Sequence, residues 1–208
     1  MRLAVLVSGS GTNLQALLDA TAADPDFGGE IVVVGSDRAD AGGLDRARHA
    51  GVPTVVERLA DHPDRDTWEA ALRARLEDHR PDAVVLAGFM RILSGAFLAG
   101  WPDRVINTHP SLLPAFRGAH AVGEALAYGV QVTGSTVHLV DEQVDHGPIV
   151  AQRAVEVRPD DTEDTLHERI KAVEHELLPA CVRLLCHGRL QVDGRRVRVR
   201  PSPDPSHA

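Results

Sequence analysis

Two stretches carry the side chains best suited to chemistry. The first, VLVSGSGTNLQALL (Val5–Leu18), passes from an apolar strand pattern through Gly9 and Gly11 into a helical one. Glycines at such a junction let backbone N–H groups approach a ligand closely, and a helix start favours an anion. Two familiar glycine motifs do not fit. A dinucleotide fingerprint wants glycine where Leu14 stands, and a Walker loop needs a Gly-Lys-Ser/Thr run that is absent. What remains is a phosphate held by main-chain amides, with Ser8, Thr12 and Asn13 in support, or else a tight strand–helix turn capped by Thr12.

The second stretch, VINTHPSLLP (residues 105–114), ends an apolar run with an amide at Asn107 and an imidazole at His109, then closes on Pro110. Residues i and i+2 on a strand face one side, so both polar groups should enter the same space. Proline keeps the preceding residue extended. Alone, Asn-x-His also reads as a loop cap and a satisfied structural histidine. Context turns the reading, because in an open parallel sheet ligands bind beyond the carboxyl ends of the strands. Residues 8–13, 88–91 and 107–109 all leave such ends.

The elements that must position these groups follow from pattern. Arg2–Val7, Ile31–Val34, Thr54–Val56, Asp82–Ala87 and Arg104–Asn107 are short apolar runs without alternation, as in strands covered on both faces. Helical patterns lie between them: Asn13–Ala23, Gly43–Ala50, and Asp66–His79 with Trp68, Leu72 and Leu76 on one face. Asp66 followed by Glu69 reads as a capping box. The alternation implies an α/β fold, a mostly parallel sheet with helices on both faces. Beyond residue 115 the pattern gives a helix (Ala119–Tyr128) and two longer strands (Gln131–Val140, Pro148–Val157) around a polar loop, Asp141–Gly147. A long helix follows (Thr162–His187), capped at Asp161 or Thr162 and disturbed near Pro179, and then a disordered tail, Pro201–Ala208.

Composition narrows the classes. The chain has 208 residues, 43% of them hydrophobic, which suits one domain over residues 1–200: a phosphate-binding half to 110 and a catalytic half after it. A net charge of −8 argues against nucleic acid. Lys171 is the lone lysine and lies in no glycine loop. Cys181 and Cys186 read as reduced thiols of a cytoplasmic protein. No run reaches the ~20 apolar residues of a membrane span.

Four segments occur in order: SGSGTN (8–13), AGFMRILS (87–94), NTHPSLLP (107–114) and TGSTVHLVDEQVDHGPI (133–149). Together they resemble the phosphoribosylglycinamide formyltransferase family, folate-dependent enzymes of purine synthesis. The resemblance covers the chain to about residue 188. It implies a Rossmann-like sheet with an antiparallel extension in the second half. The implied reaction moves a formyl group from 10-formyltetrahydrofolate to the amine of glycinamide ribonucleotide. The implied catalytic trio is Asn107, His109 and Asp145, with Asp145 pairing with His109. Substrate would meet Ser10, Gly11, Thr12, Asn13, Gly88, Pro110 and Glu174. Folate would meet Phe89, Met90, Arg91, Ile92, Leu93, Asp141 and Val144. Arg65 and Arg91 suit its glutamate carboxylates, ion pairing being the other reading of Arg65. His138 lines the pocket or is an ordinary strand histidine. No metal is expected, since the histidines lack ligand spacing, and the partners expected are small molecules met by a monomer or homodimer. One departure stands out: Phe116-Arg117-Gly118 lacks the proline often found before that glycine.

Other activities remain as rivals. A formyltetrahydrofolate deformylase would use the same trio with water as acceptor, and the amide loop favours a phosphorylated acceptor instead. That relative generally carries a further domain before the catalytic one, which is not expected ahead of Arg2. A transfer-RNA formyltransferase would need more than the twenty residues after Gly188. A nucleotide-dependent oxidoreductase would use Asp37, but Leu14 breaks its motif. A noncatalytic binder could dispense with Asp145.

Overall fold

The computed structural model describes residues 1–201. Its N-terminal half lays down β1 (Arg2–Val7), α1 (Thr12–Ala23), β2 (Glu30–Ser36), α2 (Gly42–His49), β3 (Thr54–Val56), α3 (Arg65–Glu77), β4 (Ala83–Leu86), a short α4 (Gly95–Leu98) and β5 (Val105–His109). The second half adds α5 (Ala121–Tyr128), β6 (Val132–Leu139), β7 (Ile149–Glu156), α6 (Glu163–Cys186), β8 (Leu190–Asp193) and β9 (Arg196–Val199). The strands form one sheet in the order β3-β2-β1-β4-β5-β6-β7-β9-β8. Neighbours from β3 to β5 are parallel. β6 and β7 then run antiparallel, the extension the family resemblance implied.

Helices cover both faces, and β1 shows why its sequence is apolar throughout. Leu3, Val5 and Val7 pack with Leu14, Leu17, Leu44 and Leu178 from α1, α2 and α6. Ala4 and Leu6 pack on the opposite face with Trp68, Leu72 and Phe97 from α3 and α4. A strand buried on both sides has no polar period to show. Since β1 lies between β2 and β4, the chain reverses direction across the sheet there, and a crevice opens at the carboxyl ends.

Several expected boundaries move. β5 runs on through His109, because Asn107, Thr108 and His109 pair with His138, Val137 and Thr136 of β6. The cap of α3 is Asp64, which accepts from the Thr67 amide at 2.8 Å, so the Asp66–Glu69 capping box does not form. Glu69 instead turns inward to Ser94. Gly11, not Thr12, caps α1, with no side-chain bond. Thr162 caps α6 as expected, in a box completed by Thr165. α6 stays helical across Pro179. A proline interrupting a helix costs about 3 kcal/mol, and here Leu177, Leu178, Cys181 and Val182 bury that turn in the core. The β8–β9 hairpin was not expected at all, although Asp193-Gly194 is a recognised hairpin signal.

Both cysteines are free. Burial pushes the Cys181 thiol up to about 12 and that of Cys186 to about 11, so neither presents a thiolate. Lys171 pairs with Glu168 at the surface. Of the tail expected to be disordered, Pro201 is described and carries no regular structure, and Ser202–Ala208 lie outside the described residues.

Candidate active site

The crevice gathers groups from three strand ends. The Ser8 amide donates to the Gly88 carbonyl at 3.0 Å, and the Met90 amide donates to Ser8 Oγ at 2.9 Å. Ser8 in turn donates to Asp37, 2.6 Å away at the end of β2. The other Asp37 oxygen accepts from Arg91 Nε at 2.7 Å. Asp37 is 5% exposed, so its charge is held by these two donors. It joins the glycine loop to the segment after β4, and the sequence marked it only as a candidate for a different activity.

The glycine loop has two reasons for its composition. Gly11 takes a φ of 72°, and a Cβ there would run into the backbone of Gly43 in α2. Packing alone therefore demands that glycine. Gly9 has open space where a side chain would be, which leaves its backbone approachable. No side chain caps the first turn of α1, and no acidic residue stands in it. Such a terminus is a ready anion site. Ser10 is exposed and Thr12 half-buried. Arg46 borders the loop, donating to the Ser10 carbonyl at 2.8 Å.

Asn13 turns inward and donates through Nδ2 to Glu174 Oε2 at 2.9 Å. Thr108 Oγ1 lies 3.3 Å from Glu174 Oε1. Burial raises the pKa of Glu174, and the Asn13 and Thr108 bonds only partly offset this. Asn13 Oδ1 is buried without a partner among the described residues.

Asn107 and His109 do face one side of β5, and Asp145 arrives there from the loop between β6 and β7. Asp145 Oδ2 lies 3.3 Å from His109 Nδ1, and Asp145 Oδ1 lies 3.4 Å from Asn107 Nδ2. His109 Nε2 is 2.7 Å from the Phe116 carbonyl, so both ring nitrogens meet oxygen acceptors. The Gly118 amide donates to Asp145 Oδ2 at 2.8 Å. The segment that departs from the family pattern thus supplies one backbone group to His109 and one to Asp145. Phe116 and Asp145 both hold positive φ, at 51° and 47°, conformations that side chains resist.

His138 completes the cluster. It is 1% exposed, with Nδ1 at 2.9 Å from the Leu139 carbonyl and Nε2 at 3.1 Å from Asn107 Nδ2. Nε2 also lies 3.6 Å from Asp145 Oδ1. Burial pushes the Asp145 carboxyl up, but the contact with His138, the charge of His109 and the Gly118 amide outweigh it. The net pKa is below the ordinary carboxylate value.

The segment after β4 divides its labour. Phe89 and Leu93 are buried in the core, Phe89 stacked on Trp68, so they anchor the segment. Met90 at 69% and Ile92 at 53% exposure face outward, as does Val144 at 41%. These three apolar side chains are left uncovered, and Pro110, which follows His109 in the chain, is half-buried. Arg91 is anchored to Asp37 while much of its side chain stays exposed. Arg65 bonds Glu69 and the Ile92 carbonyl, so it forms the ion pair that was the other reading of it. Asp141 accepts from the Gln143 amide at 3.0 Å and pairs with His146 at 2.7 Å, which ties the loop internally. An open cavity of about 360 Å³ lies beside Arg91, but its other arginines, Arg38 and Arg58, are already paired with Asp40 and Asp61. Among the described residues no cluster of His, Cys, Asp and Glu could hold a metal ion.

An amide-lined crevice beside a carboxamide, an imidazole and a carboxylate is the equipment of an acyl-transfer enzyme. The chain belongs to the formyl transferase family, whose model matches residues 1–182. Within that family the similarity runs to the phosphoribosylglycinamide formyltransferases. The protein of that name from Mycobacterium tuberculosis (strain CDC 1551 / Oshkosh) is 52% identical over 95% of this chain and 94% of its own. The human trifunctional purine biosynthetic protein adenosine-3 is 47% identical over 92% of this chain and 19% of its own. The crystal structure of glycinamide ribonucleotide transformylase 1 from Symbiobacterium toebii superposes with a TM-score of 0.94 at 49% identity, covering 97% of this chain and 94% of that one.

Proposed function

We propose that the chain transfers the formyl group of 10-formyltetrahydrofolate to the amine of glycinamide ribonucleotide, a step of purine synthesis. One observation carries the reading. Asp145, from a distant loop, stands within 3.4 Å of both Asn107 and His109, and β5, which carries these two, ends on the same side of the sheet as β1, which leads into the uncapped start of α1. The ribonucleotide phosphate is assigned to Gly11–Asn13, with Asn13 and Glu174 beneath it. The folate is assigned to the uncovered apolar side chains of Met90, Ile92 and Val144.

The acceptor amine attacks the formyl carbon, and negative charge grows on the formyl oxygen. Asn107 and His109, each with an N–H facing Asp145 in this structure, turn it to that oxygen as Asp145 engages the amine; removing one such donor typically costs about 10²–10³ in rate. Asp145 takes the proton released by the amine, directly or through a water. The tetrahedral intermediate collapses as Asp145 returns that proton, directly or through the water, to the folate nitrogen, which leaves. His138 holds Asn107, and the Phe116 carbonyl holds His109, so the donors are oriented before the substrates arrive.

The test is tetrahydrofolate release from 10-formyltetrahydrofolate, with and without glycinamide ribonucleotide. Acceptor-dependent release is the expected result. Equal release without acceptor would make the protein a hydrolase, and none with either would make it a binder. No helix among the described residues is long and apolar enough to cross a membrane.

A further inference from the structure

The C-terminal hairpin lies beyond the residues that the family model matches. Its main-chain link to the sheet is one register pair, Ile149 with Arg196. Arg189 and Arg200 close its base, the Arg200 amide donating to the Arg189 carbonyl at 2.8 Å and Arg189 Nε donating to the Arg200 carbonyl at 2.7 Å. Val192 and Val197 pack against the main core. A hairpin so attached presents its turn, Asp193–Arg196, to whatever lies beside the start of β7.

What lies there is the loop that carries Asp145. Arg195 Nη2 donates to the His146 carbonyl at 2.6 Å. Its Nη1 lies 3.3 Å from His146 Nδ1 and 3.2 Å from Nε2. Two nearly equal distances put the guanidinium over the ring face, since an in-plane approach would collide with the carbon between the nitrogens. The same Nδ1 meets Asp141 Oδ2 in the ring plane at 2.7 Å. Arg195, His146 and Asp141 thus form a continuous chain of contacts across the loop. Asp145, next to His146, holds the left-handed backbone conformation. Such strain persists only where surrounding contacts over-determine it.

We propose that Arg195 is a positioning residue for the reaction: from the C-terminal hairpin it straps His146 and so holds Asp145 against His109. The inference rests on the assignment of Asp145 given above. Arg195 touches no reacting atom. Its effect passes through the order of residues 141–147, which also carry Val144, assigned above to the folate.

The test compares Arg195→Ala and Arg195→Lys with the wild-type chain in the acceptor-dependent assay, together with amide hydrogen exchange. For Arg195→Ala, kcat should fall about tenfold and the KM for folate should rise severalfold. The KM for the ribonucleotide should hold, and exchange should quicken over residues 141–147 beyond any change in the hairpin. Arg195→Lys, which keeps a donor for the carbonyl but loses the planar stack, should fall between. Unchanged kcat and folate KM in Arg195→Ala, or equal rises in both KM values with general loss of protection, would overturn the strap. An inactive wild-type chain would instead overturn the transferase reading on which it stands.

Discussion

Asp145 Oδ2 stands 3.3 Å from His109 Nδ1 and accepts the Gly118 amide at 2.8 Å, so one carboxylate oxygen serves both the imidazole and the loop beside it. Asp145→Asn keeps the shape and removes the charge and the proton acceptor. The acceptor-dependent rate should fall by about 10²–10³, with circular dichroism and thermal midpoint near those of the wild type. Turnover within a few-fold of wild type would remove Asp145 from the chemistry.

His138 supports Asn107 from the neighbouring strand. Its loss leaves the carboxamide free to rotate away from the formyl oxygen, and misplacement by about 1 Å can cost up to about 10²-fold. His138→Ala should lower kcat toward that limit while both KM values hold. A rise in the ribonucleotide KM with kcat intact would mean that His138 binds substrate instead.

Phe116 is held from outside. Its ring meets that of Tyr128 edge-on, centroids 5.9 Å apart, and Tyr128 is 81% exposed. Such a pair contributes about 0.5–1.5 kcal/mol beyond burial. Removing Tyr128 weakens the restraint on the carbonyl that holds His109 without opening the core. Tyr128→Ala should lower kcat several-fold, and Tyr128→Phe should restore it. Equal kcat in all three forms would show the aromatic pair to be surface packing alone.

Glu174 has a pKa raised above 4.5 by burial. The fold therefore favours its protonated form. That contribution is complete below the unfolded value and is lost as pH rises toward the folded value. Glu174→Gln keeps the polar contacts and does not titrate. Its thermal midpoint, relative to wild type, should climb as pH rises from about 4.5 and level off above the folded pKa of Glu174. A constant difference between about pH 4.5 and pH 8 would contradict the assigned direction.

Much of this arrangement was legible in the residues. Buried strands such as β1 announce themselves as unbroken apolar runs, and the two-residue period placed Asn107 with His109. Three other features left no residue-type signal. The Phe116 carbonyl belongs to the backbone, which every residue has. The full length of β5 depends on pairing with β6, about thirty residues on. His138 gains its meaning only from that same pairing. At the start of α3, Asp64 and Asp66 both satisfy the local capping rule, and only the inward turn of Glu69 to Ser94 decides between them.

β5 serves two clients by alternation: Thr108 turns to Glu174, while Asn107 and His109 turn to Asp145. A substitution at one position of that strand disturbs the client on that side alone. An inserted or deleted residue before Asn107 would exchange the two allegiances, sending imidazole toward the buried glutamate and hydroxyl toward the aspartate. The length of β5 before Asn107 is therefore as constrained as the identities of the three polar residues it carries.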